Sequence, residues 1–287
     1  GTDLLDRWIA RMIMLSLYVT DKIPFKNVYL HGMVLDEHSQ KMSKSKGNVI
    51  NPMELVAEYG SDALRLGLIA SRSTGQNQAF SVDRVIAGRN FCNKLWNIAR
   101  FIENKLGESY QPGRPVAVSL ADHWIVSELE TAKKAIERTL NDYRYAEAGE
   151  AMYHAIWDSV ADWYIEASKD QDNPDLLAWV LDTALKLAHP FAPFVTETLW
   201  QTRPWHASLL INELWPEMIA FGAISAAEFA QVQQVIVEAR FVAMSLPGNE
   251  RYGLLYQEDT LIADNKDLIK RLAKLSDVTT TPSPRGL

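Results

Sequence analysis

One cysteine, Cys92, stands in 287 residues, which excludes a disulfide framework and any cysteine-built zinc site. A reducing compartment fits this usage, and a cytoplasmic location is expected. No apolar run reaches the length of a membrane span; the longest candidate, Trp8 to Val19, is short and interrupted by Arg11. No secretory leader is read either. Positive charge is also scarce: 29 Lys and Arg against 36 Asp and Glu leave a net charge of −7. That argues against a bulk nucleic-acid coat, which needs a large positive field, while a local basic track could still meet a structured RNA. What the chain has in quantity is apolar material. Hydrophobic residues make up 47% and charged ones 23%, a globular balance with length for two or three domains.

The most informative stretch is Lys41-Met42-Ser43-Lys44-Ser45-Lys46-Gly47-Asn48. Lys41 and Lys44 alternate with small hydroxyl residues, and a glycine closes the segment. Such a loop presents mobile ammonium groups and leaves hydroxyls and backbone N–H groups free for phosphate oxygens. A solvated basic turn is the plain alternative. Upstream, Leu4 to Leu17 repeats apolar residues at helical spacing, with Asp3 placed as a cap and Arg7 and Arg11 projecting. Phe25 to Val34 alternates and reads as a buried strand ending at Gly32, which puts His31-Gly32-Met33-Val34 where ligands of parallel sheets sit. Asp36 to Gln40 reads as a polar turn. Downstream, Pro52 to Tyr59 predicts a short helix stopped by Gly60, and Ser61 opens another.

Ser71 to Gln78 is polar and glycine-bearing and reads as a domain boundary. Helical spacing then dominates: one or two helices from Ser81 to Leu106, and further helices over 120–140, 145–169, 173–188 and 190–200. Trp157, Trp163 and Trp179 fall on apolar faces and are expected in the core. Leu210-Ile211 could form a short strand. A helix over 226–244 built on Phe229, Val232, Val235, Ile236 and Phe241, strands at 252–256 and 278–281, and a helix at 265–274 make a small α/β module. Within the first long helix, Arg89, Asn90, Phe91, Asn93, Lys94, Asn97 and Arg100 combine cations, amides and an aromatic, a set suited to the exposed bases of an RNA loop.

Lys41 to Ser45 is similar to the nucleotide-binding loop of class I aminoacyl-tRNA synthetases. Tyr59-Gly60-Ser61-Asp62-Ala63-Leu64-Arg65 resembles the phrase that follows it there. Trp8-Ile9-Ala10-Arg11-Met12 looks like the valyl branch, although Asp6-Arg7 departs from the aromatic pair usual at that place. Residues 88–100 resemble the opening helix of the anticodon-binding domain of the valyl branch, and 162–166 and 189–197 resemble the same domain as shared with isoleucyl and leucyl enzymes. The isoleucyl branch fits less well, because its C-terminal cysteine zinc cluster is absent.

The resemblance implies a fold that is mostly α with a small α/β part. Residues 1–70 would be the C-terminal part of a class I catalytic domain, 71–220 a helix-bundle anticodon-binding domain, and 221–287 a small α/β module. It implies an ATP site built from Gly1, Asp3, His31, Gly32, Met33, Val34, Lys41, Met42, Ser43, Lys44 and Ser45. Lys44 would be the phosphate contact and Lys41 its support, with Mg²⁺ arriving on ATP and no metal held by the protein. The partners implied are a valine-accepting tRNA, ATP and valine, with no membrane and a monomeric state. Neither a His-x-Gly-His motif nor an editing insertion occurs, and the coiled coil usual after the last module is missing. Two readings remain: part of a longer ATP-dependent tRNA ligase, or a tRNA-binding module without catalysis.

Overall fold

The computed structural model describes residues 4–69, 76–247 and 251–282. Gly1 and Asp3 lie outside these, as does most of the polar loop at 71–78. The chain divides into two compact units, Gly1–Asn97 with Ala132–His154 and Leu185–Trp215, and Ile98–Thr131 with Ala155–Ala184 and Pro216–Leu287.

In the first unit a π-helical turn, Leu5–Ile9, leads into α1 (Ala10–Thr20). The helix forms where the apolar spacing predicts, yet neither segment buries a residue. Trp8 is 64% exposed and Tyr18 90%. The expected buried strand over 25–34 does not form. Residues 25–33 run irregularly, Val28 and Tyr29 are exposed, and only β1 (Val34–Leu35) pairs, in parallel with β2 (Gln78–Ala79). A strand is held by the neighbour that completes its backbone bonds. Among the described residues this segment meets only a two-residue partner.

α2 (Pro52–Tyr59) starts as expected, with the Asn51 side chain accepting the Met53 N–H at 3.0 Å and proline in the first turn. It stops at Gly60, and α3 (Ser61–Ile69) follows. α4 (Val82–Leu106) is one continuous helix. A Cβ on Gly88 would lie 2.6 Å from the Ala63 carbonyl oxygen, so glycine lets α4 cross directly against α3. α5 (Leu120–Asn141) and α6 (Tyr145–His154) come next, the latter continuing through a π-helical stretch, Ala155–Tyr164, into α7 (Ile165–Ala167). α8 (Pro174–Ala188) and α9 (Pro193–Gln201) complete the helices predicted for the middle of the chain.

α9 carries no cap of its own, and Pro193 in its first turn has no N–H to satisfy. The next two amides turn to α3. Phe194 N–H and Val195 N–H donate to the Asp62 carboxylate at 3.3 and 2.7 Å. One turn along α3, Arg65 donates to the carbonyls of Pro190 and Phe191 at 3.1 and 3.4 Å. Two short sequence phrases that read separately are thus one joint. Leu210-Ile211, expected as a strand, lies in a 3₁₀ turn, Leu210–Asn212, whose Leu210 N–H donates to Glu197. No strand among the described residues pairs with these two, and they close on themselves.

In the second unit Asp122 is buried and accepts from Tyr164 O–H, Ser119 N–H, Val118 N–H and the Asn173 amide. Trp124 packs on Phe229. Trp157, Trp163 and Trp179 are half-buried rather than core, because their large rings span the boundary that smaller residues on the same faces fill completely. The elements read at 226–244, 252–256, 265–274 and 278–281 form as α10 (Ala223–Ser245), β3 (Gly253–Tyr256), α12 (Lys266–Ala273) and β4 (Asp277–Thr280), with β3 and β4 parallel. A further short helix, α11 (Thr260–Asp264), not expected from the sequence, precedes α12 in this small α/β module. Val232 and Ile236 enter its core, but Phe241, expected beside them, is 75% exposed, lying one turn beyond the last buried position of α10.

Replacing Asp62 with alanine removes both N–H acceptors of α9 and is expected to cost about 1–2 kcal/mol. A lowered urea midpoint for Asp62→Ala, with only part of the loss restored in Asp62→Asn, whose amide keeps one acceptor, is the expected outcome.

Candidate nucleotide-binding loop and RNA-facing helix

Residues 31–48 form a hairpin-like excursion whose shape is set by two polar side chains. Asp36 is buried, and its Oδ1 accepts from the amides of Gln40 at 2.7 Å and His38 at 3.0 Å. Its Oδ2 accepts from Asn48 Nδ2 at 2.7 Å. Asn48 in turn accepts the Ser43 amide at 2.9 Å, and Leu35 bridges Lys41 in antiparallel fashion. The Asp36 carboxyl is held below its ordinary value, first by the Gln40 N–H and then by the Asn48 amide. Asx turns of this kind are visible in sequence only as an Asp before a polar turn. Asp36 and Asn48 are therefore the loop-shaping residues that sequence reasoning passes over.

Held at both ends, the loop makes a single 3₁₀ turn, Lys44–Lys46, closed by Gly47 at φ 69°. Lys41, Lys44 and Lys46 are exposed, while Met42 and Ser43 are half-buried. One expectation is corrected. The Ser43 amide is taken by Asn48, the Lys46 amide by Ser43 O and the Gly47 amide by Lys44 O, while Ser43 and Ser45 hydroxyls lie 3.2 Å apart. The turn uses these backbone donors to hold itself, so the loop offers ammonium groups rather than a row of open amides.

His31, Gly32, Met33 and Val34 lead directly into β1 and so adjoin the loop through the Leu35–Lys41 bridge. They line a cavity of about 370 Å³ together with Tyr29 and Arg84. The Met33 amide donates to Asn77, and Met33 O accepts from Gln78. Gly32 is required by this approach, since a Cβ there would sit 1.6 Å from the Gln76 carbonyl oxygen. His31 is exposed, with Nδ1 2.8 Å from Gly32 O, and faces no acid or base partner in this contact. The Leu35–Lys41 bridge links the two stretches at their ends, while the residues given as lining the cavity include 31–34 and none of 41–45. Gly1 and Asp3 lie outside the described residues.

On α4 the RNA candidates separate by face. Asn90, Asn93, Asn97 and Arg100 are exposed. Arg89 is half-buried, bonded to Asn90 at 3.1 Å and lying over the Tyr59 ring at 5.8 Å, and Lys94 is also half-buried. Phe91 is corrected. It is 1% exposed and packs against Tyr153, because it shares the inward face with Leu95 and Ile98 at helical spacing.

Residues 1–81 match the family model for tRNA synthetases class I (I, L, M and V), and residues 122–246 match the anticodon-binding domain of tRNA ligase. The chain is 36% identical over 306 aligned positions to the valine–tRNA ligase of Cereibacter sphaeroides, covering 100% of this chain and 31% of that one. The chain belongs to the class I tRNA synthetase family. A second relative of this class I chain, the valine–tRNA ligase of Lactiplantibacillus plantarum, is 42% identical over 75% of this chain and 26% of its own length. The ternary complex of Agrobacterium radiobacter K84 agnB2 LeuRS with tRNA and LeuAMS shares the fold at a TM-score of 0.61 and 24% identity, over 72% of this chain and 26% of that one. This class I chain therefore spans about a quarter to a third of the length of these relatives.

Replacing Asp36 with alanine is expected to speed amide hydrogen exchange at His38, Gln40 and Ser43 while leaving α3 and α9 unchanged. The carboxyl is depressed in the folded chain, so its stabilising effect is present above its ordinary value near 3.8 and lost as pH falls through the folded value. An NMR pH titration of the Gln40 amide checks the direction.

Proposed function

We propose that the chain is the part of an ATP-dependent valine–tRNA ligase that supplies one wall of the ATP site and carries tRNA-binding helices. The observation that carries this reading is the loop 41–48, held in shape by Asp36 and Asn48 with its lysines exposed, in a chain aligned along its whole length with a valine–tRNA ligase. The three-part division at 70 and 220 belongs to the same reading, as do valine as the amino acid and the cytoplasm as location. No helix among the described residues is long and apolar enough to cross a membrane.

In amino-acid activation the amino-acid carboxylate attacks the α-phosphate of ATP and pyrophosphate leaves. Charge grows on the phosphoryl and leaving oxygens in the transition state. An ammonium group that closes on them there raises rate rather than ground-state affinity. Lys44, at the start of the 3₁₀ turn, is the contact in this reading, and Lys41, beside the bridge to β1, supports it. Met33 and Val34 flank the adenine. Mg²⁺ would be held by the phosphate oxygens, the ligands it prefers.

The exposed helix supports a wall rather than a complete site. Large apolar side chains gathered on one helix are ordinarily covered, yet 5–20 buries none, with Trp8, Leu15 and Tyr18 exposed. Its cover, in this reading, is the rest of the nucleotide fold that the longer relatives contain.

Alone, the chain is expected to show no valine-dependent ATP–pyrophosphate exchange while binding tRNA weakly, with affinity falling steeply as salt rises. Robust exchange by this polypeptide alone would overturn the one-wall reading.

A further inference from the structure

The face of α10 turned away from the module's core has a pattern of its own. It runs Ala223, Ala227 and Ala230, then Gln234, then Val237, Phe241 and Met244, with spacings that alternate between four and three. All of these are exposed, and at about 100° per residue they fall within about 100° of arc. The buried Phe229, Val232 and Ile236 lie on the other side. Alternation of four and three is the seam of a two-helix coil, in which each side chain of the stripe meets a second helix. Gln234 is its one polar member, and the charged residues of α10 (Glu228, Glu238 and Arg240) all lie off it. Single exposed apolar side chains are ordinary on a surface. A continuous stripe ending in Phe241 and Met244, 75% and 87% exposed, calls for a cover.

Side-chain size decides what fits it. One half of the stripe is alanine and the other half is bulky. Two parallel copies would set alanine on alanine and crowd Phe241 on Phe241. Antiparallel copies set Phe241 against Ala230, Val237 against Gln234 and Met244 against Ala227, so large meets small along the whole seam. Ala227 is also a wall of an open groove of about 970 Å³, shared with Ile224, Leu261 and Tyr256, which leaves room for Met244 of the second copy. On the flanks Gln231 falls opposite Glu238 and Gln233 opposite Arg240, so no like charges meet. Such a pairing is isologous and closes at two copies. The stripe exposes on the order of 500 Å², so a pair removes about 1,000 Å², the lower bound of a specific interface.

We propose that this face of α10 is a self-association surface, on which a second copy of the chain packs antiparallel to form a weak dimer. That departs from the monomeric state implied by the family resemblance.

Sedimentation equilibrium of the full 287-residue chain over about 1 to 200 μM tests it. A reversible monomer–dimer equilibrium is expected. It should strengthen as salt rises, because each copy carries a net charge of −7 while the seam carries none. Phe241→Glu, at an exposed position, is expected to weaken the pair by at least about 30-fold with an unchanged urea midpoint. An oxidised mixture of Ala227→Cys and Met244→Cys chains should yield the 227–244 disulfide on peptide mapping. A monomer throughout the concentration range overturns the proposal, as does a dimer that Phe241→Glu leaves intact. A disulfide between two copies of position 244, in place of the mixed one, overturns it as well.

Discussion

The Asp62 carboxylate at the start of α9 is the contact on which the first unit depends. It satisfies the two amides that Pro193 and the uncapped helix start leave open, and Arg65 takes the carbonyls just before them. A charged acceptor at a helix N-terminus meets both the open N–H groups and the helix dipole. With α3 so tied, Gly88 brings α4 against the Ala63 carbonyl. α2 follows from α3 through Gly60, and the lysine loop precedes α2 by a few residues. These hydrogen bonds tie residues 190–195 to α3, more than a hundred residues earlier in the chain.

Shape and charge are supplied by different residues in the loop. Asp36 and Asn48 consume the backbone donors and face inward, leaving Lys41, Lys44 and Lys46 in solvent. In the proposed reading, a backbone held by side-chain hydrogen bonds suits a lysine that must follow charge as it develops, since its ammonium moves on a long stem. The same division appears on α4, where the inward face is aliphatic and aromatic and the outward face is amide and guanidinium.

Helices were legible in the sequence because their signals are local. Asn51-Pro52, Gly60 and Pro174 mark ends that need no distant partner. The strand over 25–34 was not, because alternation states only which residues could pair and not whether a neighbour is present. Leu210-Ile211 failed for the same reason. Phe91 was misassigned from composition: the run 89–100 reads as one RNA-like set until helical phase divides it into two faces. Asp36 and Asn48 were missed because a polar residue in a polar turn carries no signal of burial. The Asp62–α9 joint could not be read at all, since its partners are more than a hundred residues apart.

The proposed one-wall site rests most on residues 5–20, none of which is buried here. The most direct measurement is amide hydrogen exchange across the chain, with and without the upstream portion of a related valine–tRNA ligase. The account predicts a complex in which exchange slows over residues 5–20 and in the lysine loop. A complex that protects only other segments, with 5–20 exchanging as fast as before, would contradict it.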